Sequence, residues 1–126
     1  MRLVLDNDPQ VLSVRSYAPG LIDVAGQLVR APCILSATQL ITDWPVRSAA
    51  ELDEAALAPI LALRPTLVLI GAGAGTAATA VPAAGRLRRS VQARGVALEI
   101  MDLGAACRTY NVLAQERREV VAGLFP

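Results

Sequence analysis

The stretch MDLGAACRTYNVL, residues 101–113, brings a carboxylate, a thiol, a guanidinium, a phenol and an amide close together as Asp102, Cys107, Arg108, Tyr110 and Asn111. A cysteine near a helix N-terminus has its thiolate favoured by the helix dipole, and Arg108 beside it adds to that effect, as in reactive thiols. The chain offers such a thiol no histidine or lysine base. It contains no histidine, and its twelve cations are all arginine, so a His-based relay or a lysine base is excluded. The competing reading of Cys107, at the border of an apolar helix face, is a small apolar filler. Cys33 and Cys107 stand far apart in no metal-ligand spacing. Neither a metal site, a cofactor nor a disulfide is expected.

A second candidate is the glycine run GAGAGT at residues 71–76. Its backbone N–H groups could cradle an anion while Asp102 accepts from a ribose hydroxyl. In open parallel sheets ligands sit where loops leave the carboxyl ends of strands, so the Gly71–Gly75 loop and the Asp102–Gly104 loop would border one crevice. The spacing departs from a dinucleotide fingerprint. Thr76 stands where Gly or Ala is wanted, Pro82 delays the next helix, and Asp102 lies about thirty residues downstream instead of roughly twenty. Tight packing of small residues is the competing reading of Gly71 and Gly73.

The elements that must position these groups follow from patterning. VLSVRSY alternates as a strand, and Pro19-Gly20 suits the centre of a type II turn. LIDVAGQLVR reads as two strands around an Ala25-Gly26 hairpin loop, and CILSATQLI as further strand material interrupted near Ser36–Thr38. Ser48 and Glu51 resemble a capping box for a helix within residues 49–63, although Pro59 requires a kink or a later start. TLVLIGAGAG is an apolar run suited to a strand buried on both faces. AAGRLRRSVQARG follows as a helix with Leu87 and Val91 inward and Gly95 as its left-handed cap. VALEIMD is a strand, GAACRTYNVLAQ a helix capped by Asp102, and EVVAGLF a last strand or a helical turn, with β-branched Val120 and Val121 favouring the strand. On a helical wheel Leu103, Ala106, Tyr110, Leu113 and Ala114 form the packing face, while Arg108, Asn111 and Gln115 form a separate polar stripe. The order βαβα(β) from residue 66 implies parallel strands covered by helices.

Composition narrows the function classes. At 126 residues the chain is read as a single domain, 1–126, able to enclose a core. With 54% apolar residues but only one Phe, one Trp and two Tyr, that core is aliphatic and base stacking has little to use. A formal charge of +1 gives no footprint for nucleic acid or an anionic membrane. The uncharged run from Pro65 to Gly85 is long enough to span a bilayer, but its glycines and prolines argue against insertion. The N-terminal MRLVLDNDPQVL is too short and too acidic for a targeting segment, so a cytoplasmic location is expected.

MDLGAACRTYNVL, LVLIGAGAG, YAPG, VAGQLV and DWPV together resemble the small α/β domain family of unknown function that includes mitochondrial complex I assembly factor 3, the Mth938-like domains. The resemblance runs from about Val11 to Pro126 and is most specific in Met101, Asp102 and Ala105–Leu113. It implies a three-layer α/β fold: a mixed central sheet flanked by helices, an N-terminal β-hairpin element, and a last strand antiparallel to the others. It also implies a role in complex assembly, and it supplies no catalytic residues. Leu103 in place of a hydroxyl residue, Ala25 in place of Asn and Arg117 in place of Gly depart from the family pattern.

Two functions follow. One is an interaction or assembly protein that holds a protein partner through the Arg108–Asn111 helix. The other is a small-molecule or nucleotide binder using the crevice between Gly71 and Asp102. Gly71, Gly73, Asp102, Cys107, Arg108 and Asn111 are the candidate ligand- or partner-binding residues.

Overall fold

A computed structural model describes residues 8–73 and 80–126. The chain opens with β1 (Val14–Ala18), β2 (Leu21–Val24) and β3 (Gln27–Val29), an antiparallel three-stranded sheet in that order. Both connections are two-residue loops. Gly20 supplies φ +78 in the first, as the Pro-Gly pair requires. In the second, Ala25 and Gly26 both have positive φ, +51 and +96, the type I′ geometry whose twist matches the flanking strands.

A larger sheet follows, built from β4 (Cys33–Leu35), β5 (Leu40–Ile41), β6 (Leu67–Gly71), β7 (Ala97–Met101) and β8 (Val120–Leu124) in the order β5-β4-β8-β6-β7. Its helices are α1 (Glu54–Leu61), α2 (Ala84–Gln92) and α3 (Leu103–Gln115), with a 3-10 turn at Ala49–Glu51 before α1. The expected capping box does not form, because Ser48 makes no side-chain bond there. α1 instead starts later, capped by Asp53, whose Oδ1 accepts from the Ala56 N–H at 2.8 Å.

The sheet is mixed. β6 is parallel to both β7 and β8, and β4 is antiparallel to β5 and β8. The expectation of a last strand antiparallel to all others is therefore corrected: β8 runs with β6 and opposes β4. Chain order gives the reason, since each helical crossover, β6–α2–β7 and β7–α3–β8, returns the chain in the same direction.

Residues on successive strands alternate between two cores. Cys33, Leu35, Leu69, Val120, Ala122 and Leu124 face α3 and the three-stranded sheet. Ile34, Val68, Ile70 and Val121 face α1, α2 and Trp44. The result is a three-layer arrangement with the larger sheet in the middle. Gly123 lets Trp44 reach that sheet, because a Cβ there would lie 2.9 Å from the Trp44 ring. The indole N–H donates to the Ala56 carbonyl at 2.9 Å, which anchors the segment before α1.

Both α2 and α3 end in a left-handed residue. After α2 it is Gly95, with the Val96 N–H on the Val91 carbonyl. After α3 it is Arg117 at φ +60, with the Arg118 N–H on the Leu113 carbonyl and the Arg117 N–H on the Ala114 carbonyl. Ala25 and Arg117 thus occupy conformations that disfavour a Cβ. Ala25→Asn and Arg117→Gly are each expected to raise stability by about 0.5–1 kcal/mol in urea titrations. The Arg117–Asp8 ion pair lost in the second is exposed and offsets little of that gain.

Candidate functional site

α3 begins at the end of β7, where Asp102 accepts from the Ala105 N–H at 2.8 Å and caps the helix. The parallel register pairs Gly71 with Met101, so the glycine loop and Asp102 leave the sheet at one edge. Backbone hydrogen bonds join them there. The Ala72 N–H donates to the Met101 carbonyl at 2.8 Å, the Leu103 N–H to the Gly73 carbonyl at 3.0 Å, and the Phe125 N–H to the Gly71 carbonyl at 2.9 Å. Gly73 has φ +83, which lets the chain make this turn. A Cβ on Gly71 would stand 2.9 Å from the Ala106 Cβ and 3.0 Å from Leu124 Cδ2, so the missing side chain lets α3 lie against β6. Gly75 and Thr76 lie outside the described residues.

The polar groups of α3 point to the first strand. Asn111 is only 2% exposed. Its Oδ1 accepts from the Val14 N–H and its Nδ2 donates to the Val14 carbonyl, both at 2.9 Å, which pairs the amide with the strand as a neighbouring strand would. Tyr110 donates its hydroxyl to the Leu12 carbonyl at 2.8 Å. Gln115 accepts from the Asp8 N–H at 3.1 Å and donates to Ser13 Oγ at 3.2 Å. Arg108 donates to the Tyr17 hydroxyl and lies 6.0 Å from that ring's centroid, at the outer range of a cation–π contact. The Tyr17 ring covers Gly104, where a Cβ would come within 2.8 Å of it.

The stripe of Arg108, Asn111 and Gln115 is thus the seam that fastens residues 8–18 to the α/β body. The helical wheel separates this stripe from the packing face but cannot say what covers it, and here the cover is the chain's own β1. Tyr17, Leu12 and Val14 escape sequence reasoning because they lie 91–98 residues from their α3 partners. The spacing of 108, 111 and 115 was the signal available.

Cys107 and Cys33 are both fully buried and unlinked. Burial pushes each thiol up from an ordinary 9.0 to about 12, and for Cys107 nearby Cys33 adds to the rise while Arg108 opposes it. Burial also raises the Tyr110 phenol. An acid whose folded pKa exceeds its unfolded one keeps its proton when folded and loses it when unfolded, so stability is lost above the unfolded value. Stability is therefore expected to fall as pH rises from 9 toward 12. Urea titrations across that range check it. In the native protein at pH 8 iodoacetamide should label neither cysteine, and rapid labelling of Cys107 would disprove its burial.

Among the described residues no group of three or more His, Cys, Asp or Glu side chains could hold a metal ion, and no helix is long and apolar enough to cross a membrane.

The family described as "Protein of unknown function (DUF498/DUF598)" matches residues 14–125, which include both sheets and α3. The chain belongs to that family. Among DUF498/DUF598 relatives, an uncharacterized protein of Rhodobacter capsulatus is 33% identical over 91% of this chain and 85% of its own length. NADH dehydrogenase [ubiquinone] 1 alpha subcomplex assembly factor 3 is 28% identical in Mus musculus and 29% in Rattus norvegicus, over 94% and 98% of this chain. The aligned part spans 62% and 65% of those two proteins, so the chain matches less than two thirds of their length. The DUF498/DUF598 fold agrees with solved structures. The NMR structure of a Xanthomonas campestris protein has a TM-score of 0.78 at 32% identity, covering 98% of this chain and 92% of that one. A Bordetella pertussis protein described as a Mth938-like domain has a TM-score of 0.72 at 25% identity, covering 100% and 92%.

Proposed function

We propose that this chain is a non-catalytic interaction protein that holds a protein partner, an assembly-factor role of the kind its mammalian relatives' name states. The observation that supports this most is the use of the α3 side chains: Asp102, Tyr110, Asn111 and Gln115 all bond to the chain's own backbone. On the outer side of the same helix Arg108 is exposed, and one turn later Val112 is an exposed apolar side chain, 57% accessible. The partner would meet the Arg108–Val112 side, with Asn111 acting behind it by fixing β1.

Affinity purification of the wild-type chain beside Val112→Asp and Arg108→Glu tests the reading. A stoichiometric protein partner should copurify with wild type and be lost from both variants, each retaining a native circular dichroism spectrum. A thermal-shift screen against nucleotides and common metabolites supplies the opposing outcome. A saturable rise in melting temperature would overturn the reading in favour of a small-ligand binder, since ligand binding to the folded state raises stability.

A further inference from the structure

The α1–α2 layer carries its charge in two blocks of opposite sign. α2 and the turn after it hold Arg86, Arg88, Arg89 and Arg94, with no carboxylate between Pro82 and Ala97. Arg88 is half-buried, its Nε donating to the Leu98 carbonyl at 3.3 Å, while Arg86, Arg89 and Arg94 are exposed. Arg86 stands in the first turn of α2, which begins without an acidic residue or a side-chain cap, and Arg89 follows three residues on, in the last turn. The second block is Asp43, Glu51, Asp53 and Glu54, all exposed around the 3-10 turn and the start of α1, four carboxylates against one exposed arginine, Arg47, among them. Among the described residues the ion pair is Arg117–Asp8, and none joins the two blocks.

Both blocks lie on one face of the molecule. Leu57 and Ile60 of α1 share a core cluster with Leu87 and Val91 of α2. α1 packs on β8 and α2 on β7, with β6 between them, which sets the helices apart by two strand spacings, about 10 Å. Ala50, Ala55, Ala58 and Ala93 are exposed on these elements and leave room for close approach.

We propose that this face is the interface of a two-fold symmetric dimer, in which the α2 arginines of one copy meet the acidic block of the other. Two adjacent blocks of opposite sign are self-complementary: a two-fold axis between them sets positive on negative twice and closes the assembly. A nucleic acid or an anionic membrane would meet the acidic block together with the arginines, and a net charge of +1 adds no long-range attraction to either. The face lies across the sheet from α3, so the dimer leaves the Arg108–Val112 side open and stands or falls independently of it.

Sedimentation equilibrium of the whole chain at about 0.1 mM tests the proposal, run at low salt and at ~0.5 M NaCl, where the screening length falls to a few Å. A dimer is expected at low salt and a monomer at high salt. R86E/R89E/R94E and D43R/E54R should each be monomeric, and their equimolar mixture should form a heterodimer of the summed mass in native mass spectrometry. Should the triple variant misfold, R86Q/R89Q should still raise the dimer dissociation constant by about tenfold or more. A wild-type monomer at low salt, a salt-insensitive dimer, or a mixture that stays monomeric would overturn the proposal. So would tight binding of a polyglutamate peptide to a monomeric wild type, which would assign the arginines to an acidic foreign partner.

Discussion

Asn111→Ala is expected to lower the stability of the fold by about 2–6 kcal/mol, since it strands two buried backbone groups that each cost about 1–3 kcal/mol when left unpaired. The groups are the N–H and the carbonyl of Val14, a residue with no exposed surface, so water cannot replace the amide without opening the seam. Asn111→Asp should be as damaging. Its carboxylate can still accept from the Val14 N–H, but it then sets a second acceptor against the Val14 carbonyl and buries a charge. Denaturant unfolding of both variants measures the loss. Hydrogen exchange adds the location: amides of β1 and β2 should lose protection before those of β6 and β8, because the seam fails before the central sheet. A variant that unfolds with wild-type stability while losing a binding partner would instead place Asn111 on a functional surface.

The second large effect is expected at Gly71. Gly71→Ala forces a Cβ to 2.9 Å from Ala106 and 3.0 Å from Leu124, inside two packed elements, and overpacking of this kind costs about 1–3 kcal/mol. Gly71→Val should cost more, because its branches also meet Leu103, whose Cα lies 3.4 Å from the same Cβ position. The measurement is again denaturant unfolding, compared with Gly20→Ala. No atom lies within 4 Å of a Cβ at Gly20, so that variant reports only the strain of a positive φ. If Gly71 served mainly to let an anion approach the backbone, Gly71→Ala would keep its stability and lose a ligand. The crowding around it makes the opposite result the expected one.

How much of this was legible beforehand differs from element to element. The run Leu67–Gly71 marks a strand buried on both faces, and it sits inside the sheet between β8 and β7. Ala25-Gly26 and Pro19-Gly20 marked their loops through conformations that only a few residue types tolerate. Gly95 marked the end of α2 in the same way. The Ser48–Glu51 box failed because the signal is short and Asp53, five residues on, offered a better cap. Two expectations conflict over the direction of β8. The βαβ order of the residues implies parallel strands, while the family resemblance implies an antiparallel last strand; β8 is parallel to β6 and antiparallel to β4.

The site residues divide along the same line. Asp102 was readable as a cap, because capping is a contact between positions three residues apart. A helical wheel puts Cys107 at a border and Asn111 on a polar stripe, because a wheel built from one helix assumes a single covered face. α3 is covered twice, by the central sheet and by the three-stranded sheet, and the second cover buries both residues.

The sequence by itself determined the βαβ order, the aliphatic core, the hairpin loops and the absence of a histidine or lysine base, since these follow from residue type and from contacts a few positions apart. Tertiary structure alone decided that the chemically suggestive groups of α3 serve β1. Their partners lie about a hundred residues away, and no local pattern records which distant backbone will come to rest against a helix.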